Sequence, residues 1–358
     1  MPTELKIVRL DAKIFPVHPL ETELYKLYGL DPIEVEVKTP QEILQACADA
    51  DILINVSTRL SRETLGGLEN CRHISHTGVG TDKTDADAAT DFQIVVSNDP
   101  WFCVEDVADH TMAMILSLSR KLPQMPELMR LGRFGQARSS SHACIRLSAC
   151  VLGLVGFGSI GKIVAKRAKA FGMRVLATCR DMGDAKRLVA KDLGVELVDL
   201  GTLLSTSDYV SLHLPITSET HHLLDEIALG KMKNKAFLIN TARGAVVDEA
   251  ALVRALKDGW LAGAGIDTFE KLDVNKEIDP NPNHPFSELD NVIVSPHVAG
   301  LSLQSMETWA RIQVENLVSV VNGHWPFPGN VVNETVVSKF PLVEYDETIF
   351  KHSPVGRA

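Results

Sequence analysis

Along most of the chain, short apolar runs alternate with longer stretches of helical period. KIVRL, IEVEV, DILINVS, HISHTGVG and QIVVSN have the compact apolar character of buried strands. ETELYKLYGL and QEILQACADA, lying between them, carry the three-to-four spacing of amphipathic helices. Strand-helix alternation of this kind predicts a parallel sheet with helices on both faces. From Val104 the segment VEDVADHTMAMILSLSRKL places Val104, Val107, Ala108, Thr111, Met112, Ile115 and Leu118 on one stripe, a long amphipathic helix that Pro123 ends. The polar passage LGRFGQARSSSHAC then reads as a loop. A second array follows, with strands in VLGLVGFGSIG, MRVLAT, DYVSLHLP, AFLINTA, GAGID and NVIVSPH, and a helix-like stretch from Ser302 to Asn322 closes it. Residues after about Val337 read as a loosely attached tail.

Two alternating arrays in 358 residues suit two α/β domains, each with its own core. The charge balance narrows the partners. A net charge of −10 with no long Lys/Arg block argues against nucleic acid and for a small molecule. No apolar run reaches membrane-spanning length, and MPTELKIVRLD has no basic-then-apolar leader, so no membrane association is expected. The six cysteines form neither a C-x-x-C pair nor a zinc spacing. Reduced thiols, no metal site and a cytoplasmic location are the expectations.

The chemistry begins at VLGLVGFGSIG. Gly156, Gly158 and Gly161 form G-x-G-x-x-G between an apolar strand and a helix, the context of a dinucleotide-binding turn. The first glycine permits the tight turn, the second lets backbone approach a pyrophosphate, and the third lets helix and strand pack closely. The acidic residue that usually bonds the ribose is expected at the end of the next strand, MRVLAT. Cys179 and Arg180 come first there, with Asp181 one step later and Lys186 and Arg187 nearby. Arg180 suits a 2′-phosphate, so NADP is favoured over NAD; the other reading has Asp181 reach the ribose.

Hydride transfer to or from an alcohol carbon also needs a proton acceptor and a cation for the substrate's oxygens. Arg243 follows the strand AFLIN, and His297 follows NVIV, both at strand ends where open α/β sheets bind ligands. Asp248 is placed to cap the helix after Arg243.

In this order GFGSIG, HLPIT-x-ET, INTARG, GIDTFE and SPH resemble the D-isomer-specific 2-hydroxyacid dehydrogenases, over nearly the whole chain to about Val332. The resemblance implies an α/β fold of two Rossmann-like domains with parallel sheets. A flavodoxin-like substrate domain, residues 1–103 plus 327–358, would be split by an inserted dinucleotide-binding Rossmann domain, residues 104–326. It further implies a homodimer made through the cofactor domain, and reduction of small 2-keto acids or oxidation of the matching (R)-2-hydroxy acids with NAD or NADP. Arg243 would bind the substrate's carboxylate and carbonyl, and His297 would be the acid/base. Asp267 matches the residue that holds the nicotinamide carboxamide. Ser159 and Ile160 match the amides at the pyrophosphate, and His213, Pro215, Thr241 and Ala242 the walls around adenosine and nicotinamide. HTGVGTD matches a loop whose amides near Val79 and Gly80 hold the substrate carboxylate.

The sequence departs from the family at one catalytic position. The family's glutamate beside the catalytic histidine lies five residues after Asp267, where this chain has Leu272. Glu277 is favoured to take that role, with Asp273 and Glu270 behind it, since a carboxylate eases formation of the imidazolium. His221 and His222 are read as solvent-facing, and His110 as packed or capping. Two other functions stay open: a nucleotide-sensing protein like the C-terminal-binding corepressors, and a dehydrogenase for phosphoglycerate or phosphite.

Overall fold

The computed structural model describes residues 5–272, 274 and 284–351. Contacts divide the chain into two compact units, Met1–Cys103 with Leu301–Ala358, and Val104–Gly300.

In the first unit, β1 (Ile7–Leu10), β2 (Ile33–Val35), β3 (Ile52–Asn55), β4 (His73–His76) and β5 (Val95–Ser97) form a parallel sheet in the order β2-β1-β3-β4-β5. β1, β3 and β4 are buried at every position, as strands covered on both faces must be. The pleat sends alternate residues to opposite faces. Val8, Leu10, Leu53, Ile74 and Val96 pack against Ile43, Leu65 and Ala88 from the helices Pro40–Cys47, Arg62–Gly66 and Ala86–Asp91. Ile7, Ile52 and Ile54 pack against Leu24 of the helix Pro19–Tyr28 and Val314, Leu317 and Val318 of the helix Leu303–Val321.

That last helix corrects the expected boundary. The sequence reading puts residues up to 326 with the dinucleotide-binding array, but the Leu303–Val321 helix lies in the first unit, against the Pro19–Tyr28 helix and β4. Its apolar face reads the same wherever it docks, so periodicity alone does not assign it. The tail also differs from expectation. Val343 N–H donates to Gly323 O at 2.9 Å, Trp325 N–H donates to Val343 O at 2.9 Å, and Ile349 and Phe350 join the Ile7 core.

In the second unit β6 (Val151–Val155), β7 (Arg174–Thr178), β8 (Glu196–Leu197), β9 (Tyr209–Leu212), β10 (Phe237–Asn240), β11 (Gly263–Ile266) and β12 (Val292–Val294) are also parallel, ordered β12-β11-β10-β9-β6-β7-β8. The helix Val104–Arg120 buries all seven residues of its predicted stripe, and Met114 and Ser119 as well. With Val164, Ala165 and Ala168 of the helix Ser159–Ala170 it covers Leu152, Leu154, Val175 and Ile239. On the other face Leu203, Leu229, Leu252 and Leu256 cover Val210, Leu212, Leu238 and Ile266. The passage read as a loop holds a helix, Phe134–Ser140, whose serines return hydroxyls to the preceding turn: Ser139 to Gly135 O and Ser140 to Ala137 O. Local side-chain bonding of this kind makes serine-rich stretches look non-helical in sequence. β8 is only two residues long and carries no alternating signal.

His73 gives the first unit a pH dependence. Its ring is buried in β4 with Nε2 2.8 Å from Ser97 Oγ, and burial pushes its pKa down from 6.5 to about 3. Between those values the unfolded chain binds the extra proton and the folded chain does not, so stability is complete above about pH 6.5 and falls as pH drops toward 3. Urea midpoints between pH 7 and about pH 4.5 should fall less steeply for His73→Gln than for the natural chain. Equal slopes would refute this assignment.

Candidate active site

Gly156, Arg180, His213, Arg243, Asp267 and His297 belong to the second unit and sit where its strands end. β6 is the switch point of the sheet, with β7 and β8 to one side and β9 to β12 to the other. Ligands of open α/β sheets bind outside the carboxyl ends of strands at such a point.

At the end of β6, Gly156 adopts φ +104 and lies so close to the next strand's exit that an added Cβ would stand 2.1 Å from His213 O. A Cβ on Gly161 would meet Gly156 O at 2.4 Å, so the third glycine lets the helix start against the turn. Gly158 differs from both. A Cβ there would meet nothing within 4 Å, so neither packing nor a positive φ requires glycine. Gly158 is the N-cap of the Ser159–Ala170 helix and offers no capping side chain, which leaves the amides of Ser159, Ile160 and Gly161 facing the helix's positive end. Those features fit the pyrophosphate of a dinucleotide.

Beyond β7, Arg180 is 89% exposed, with Nη1 3.7 Å from Glu219. Asp181 Oδ1 accepts the Gly183 N–H at 2.8 Å, closing its own turn, and Cys179 Sγ contacts Asp181 O at 3.0 Å. Lys186 Nζ donates to Phe157 O at 3.3 Å, which brings a cation back over the glycine turn. Sequence spacing places Lys186 near the ribose loop but does not show this reach. Beyond β9, His213 Nε2 lies 2.9 Å from Ser211 Oγ, and desolvation pushes its pKa down to about 3, so the ring is neutral. Pro215 follows it, exposed, and its carbonyl accepts the Thr220 hydroxyl at 2.7 Å.

Arg243 leaves β10 through a turn that Asn240 organises: its Oδ1 accepts the Ala242 N–H at 3.1 Å and its Nδ2 donates to Arg243 O at 3.0 Å. Thr241 Oγ1 lies 3.1 Å from Thr111 Oγ1. Gly244 must be glycine, because a Cβ would stand 1.9 Å from the Phe269 carbonyl carbon in the loop after β11. Asp248 caps the next helix as expected, accepting Ala251 N–H at 3.0 Å.

Asp267, at the end of β11, is fully buried. Its Oδ1 accepts the Ser295 hydroxyl at 2.6 Å and the Val298 N–H at 3.0 Å; Oδ2 accepts the Ala299 N–H at 3.1 Å. His297 N–H donates to Asp267 O at 2.8 Å. The aspartate thus braces the turn that carries His297, which has φ +57. His110 Nε2 lies 2.9 Å from Ser295 Oγ, extending the brace to the long helix. The part of His110 and Ser295 in this network escapes the sequence, where 185 positions separate them.

Other expectations fall elsewhere. Glu277 and Asp273 lie outside the described residues. Glu270 is bound at His222, with Oε1 2.8 Å from Nε2, which also corrects the solvent-facing reading of His222. Val79 and Gly80 belong to the first unit, in the turn after β4, where Asn98 Nδ2 donates to Val79 O at 2.7 Å.

A glycine turn against an uncapped helix at the switch point of a parallel sheet fits a dinucleotide-binding domain. The comparisons refine that class. Residues 112–299 match the family model "D-isomer specific 2-hydroxyacid dehydrogenase, NAD binding domain". Glyoxylate reductase from Aeropyrum pernix is 37% identical over 92% of this chain and 96% of its own length. The chain belongs to the D-isomer specific 2-hydroxyacid dehydrogenase family and is an enzyme of that family. Among solved structures, D-lactate dehydrogenase from Aquifex aeolicus, complexed with NAD and lactic acid, superposes with TM-score 0.81 at 30% identity, covering 92% of this chain and 99% of that one. An NADPH-dependent glyoxylate/hydroxypyruvate reductase from Sinorhizobium meliloti, in complex with NADP and malonate, gives 0.78 at 26% identity, covering 95% and 100%.

The two glycines predict different failures. Gly156→Ala should lower both the melting temperature and dinucleotide affinity, because the new Cβ collides with backbone at a positive φ. Gly158→Ala should leave the melting temperature unchanged yet weaken dinucleotide binding about tenfold or more, measured by nucleotide fluorescence titration. Unaltered affinity in Gly158→Ala would remove the pyrophosphate from that turn.

Proposed function

We propose that this enzyme reduces a small 2-keto acid, glyoxylate first among them, with NADPH, and forms the (R)-2-hydroxy acid where the product is chiral. The observation that carries the reading is the Asp267 brace, which fixes the turn of His297 at the same sheet edge from which Arg243 departs. Arg243 offers paired N–H donors to the substrate's carboxylate and carbonyl oxygens, polarising the carbonyl. His297 delivers the proton to the carbonyl oxygen and in the reverse direction removes it from the hydroxyl. The reduced nicotinamide, when bound, supplies the hydride to the carbonyl carbon. Val79 and Gly80 contribute amides to the substrate carboxylate, and Thr241, Ala242, His213 and Pro215 wall the cofactor. Leu272 cannot raise the histidine's pKa, and Glu277 takes that part.

NADP is preferred because Asp181, the residue that would grip a bare ribose, already accepts the Gly183 amide, whereas Arg180 stays exposed beside it. Lys186 adds positive charge next to the turn. The enzyme is read as a homodimer and, since its cysteines are all free, as cytoplasmic. In the second unit Leu122, Met129, Leu131 and Phe134 expose apolar side chains that suit a subunit contact. A sedimentation mass of one chain would discard the dimer.

Steady-state assays of glyoxylate, hydroxypyruvate, pyruvate and phenylpyruvate with both cofactors test the whole reading. We expect turnover with NADPH favoured, kcat lowered about 100-fold or more in His297→Ala with dinucleotide binding intact, and the KM for NADPH, not NADH, raised about tenfold in Arg180→Ala. Glu277→Gln should move the optimum for keto-acid reduction to lower pH, because imidazolium is lost earlier without the carboxylate. Near-normal turnover of His297→Ala would overturn the mechanism, and preference for NADH would return the ribose to Asp181.

A further inference from the structure

The loops after β9 and β11 hold a second group of side chains with chemistry of its own. The ligand atoms of His221, His222 and Glu270 lie within 4.8 Å of one another. Neighbouring residues in extended backbone send their side chains to opposite sides, but His222 has φ +50 and its N–H is tied to Ala245 O at 2.8 Å. The two rings are consequently stacked, with centroids 4.1 Å apart and planes at 28°. Glu270 is held from behind: its N–H donates to Glu249 Oε2 at 2.9 Å, and Glu249 Oε1 meets His284 Nε2 at 2.7 Å. His222 and Glu270 are partly covered, at 34% and 18% side-chain exposure, and His221 is open to solvent. Asp248 adds negative potential nearby; its carboxyl is held below the ordinary range first by the Ala251 N–H and also by His222.

We propose that His221, His222 and Glu270 bind one divalent transition-metal ion, of the zinc class. Two imidazole nitrogens and one carboxylate oxygen are a borderline donor set that suits Zn²⁺, and three protein ligands leave a fourth position for water. A single carboxylate with two nitrogens is a poor site for Ca²⁺ or Mg²⁺, which take oxygen ligands. The 2.8 Å contact between His222 Nε2 and Glu270 Oε1 would open as the ion enters. With metal–ligand bonds of about 2.0–2.2 Å in tetrahedral geometry, ligand atoms stand roughly 3.3–3.6 Å apart, so the two side chains need to part by only about 1 Å. The ion takes the place of the hydrogen bond between the histidine and the glutamate, and it ties the loop after β9 to the loop that begins at Asp267. Affinity should therefore fall as pH drops through the range where imidazole protonates.

The test uses the full chain stripped with chelator and titrated with Zn²⁺ against a chromophoric competitor, with Co²⁺ absorption as a second readout. Expected are one ion per chain, the visible bands of tetrahedral Co²⁺ and a melting temperature that rises with Zn²⁺. His221→Ala, an exposed position with little bearing on folding, and His222→Gln should each weaken binding about tenfold or more. No binding, or an affinity unchanged in both His221→Ala and His222→Gln, would overturn the proposal; the second result would direct attention to other donors such as Cys179.

Discussion

Parallel pairing is the constraint on which the rest of this structure depends. A parallel ladder cannot be closed by a hairpin, so each strand returns through a crossover, and every strand leaves its sheet at the same edge. Residues far apart in sequence are thereby gathered at that edge without any long-range interaction specific to them. Gly156, His213, Arg243, Asp267 and His297 span more than a third of the chain, yet each lies within three residues of the end of one of five strands in a single sheet. The crossovers must also pack closely, and small residues mark where they do. In β6, a Cβ on Gly153 would meet Ser207 Oγ at 2.3 Å and Leu203 at 2.6 Å, so the helix behind the strand can seat only on glycine.

Within that frame Asp267 sets the local geometry. A fully buried carboxylate is expensive to desolvate unless its lone pairs are occupied, and here two amides and a hydroxyl occupy them. Hydrogen bonds to a charged group contribute about 1.5–3 kcal/mol each. Holding a non-glycine residue in the left-handed region costs about 1–2 kcal/mol. Three such bonds outweigh the strain of one His297 backbone, so the histidine can stay in a conformation its own sequence does not favour. The same reasoning explains why His110 and Ser295 matter: they support the oxygen that supports the turn.

How much of the fold is legible in the sequence follows from where each signal resides. The strands were legible because burial on both faces gives continuous apolar runs, and the glycine turn because its spacing falls between an apolar strand and a helix. The placement of Arg243 and His297 just past strand ends was legible from the apolar runs before them. The Leu303–Val321 helix was misplaced because a helix's apolar stripe does not name the sheet it covers. The Phe134–Ser140 helix was hidden by glycine and serine, and β8 by its two-residue length. Glu270 and His222 could not be paired from sequence, since 48 residues separate them and only the exits of β9 and β11 bring them together.

The loop after β7 shows how a competing local bond can redirect a motif. An aspartate stands one residue past the usual ribose position, so the sequence favours Arg180 but leaves Asp181 as a rival. Asp181 sits two residues before Gly183, the spacing at which an aspartate accepts a backbone amide and closes an Asx turn. Once its oxygen is used to start the Asp184–Asp192 helix, turning it toward a ribose would expose the Gly183 amide and loosen that helix. Arg180 carries a weaker obligation: among the described residues its ionic contact, to Glu219 at 3.7 Å, is between exposed groups, where an ion pair contributes at most about 1 kcal/mol. On the proposed reading a phosphate dianion displaces Glu219 from the guanidinium, and the cofactor preference follows from which of two adjacent side chains already holds a local partner.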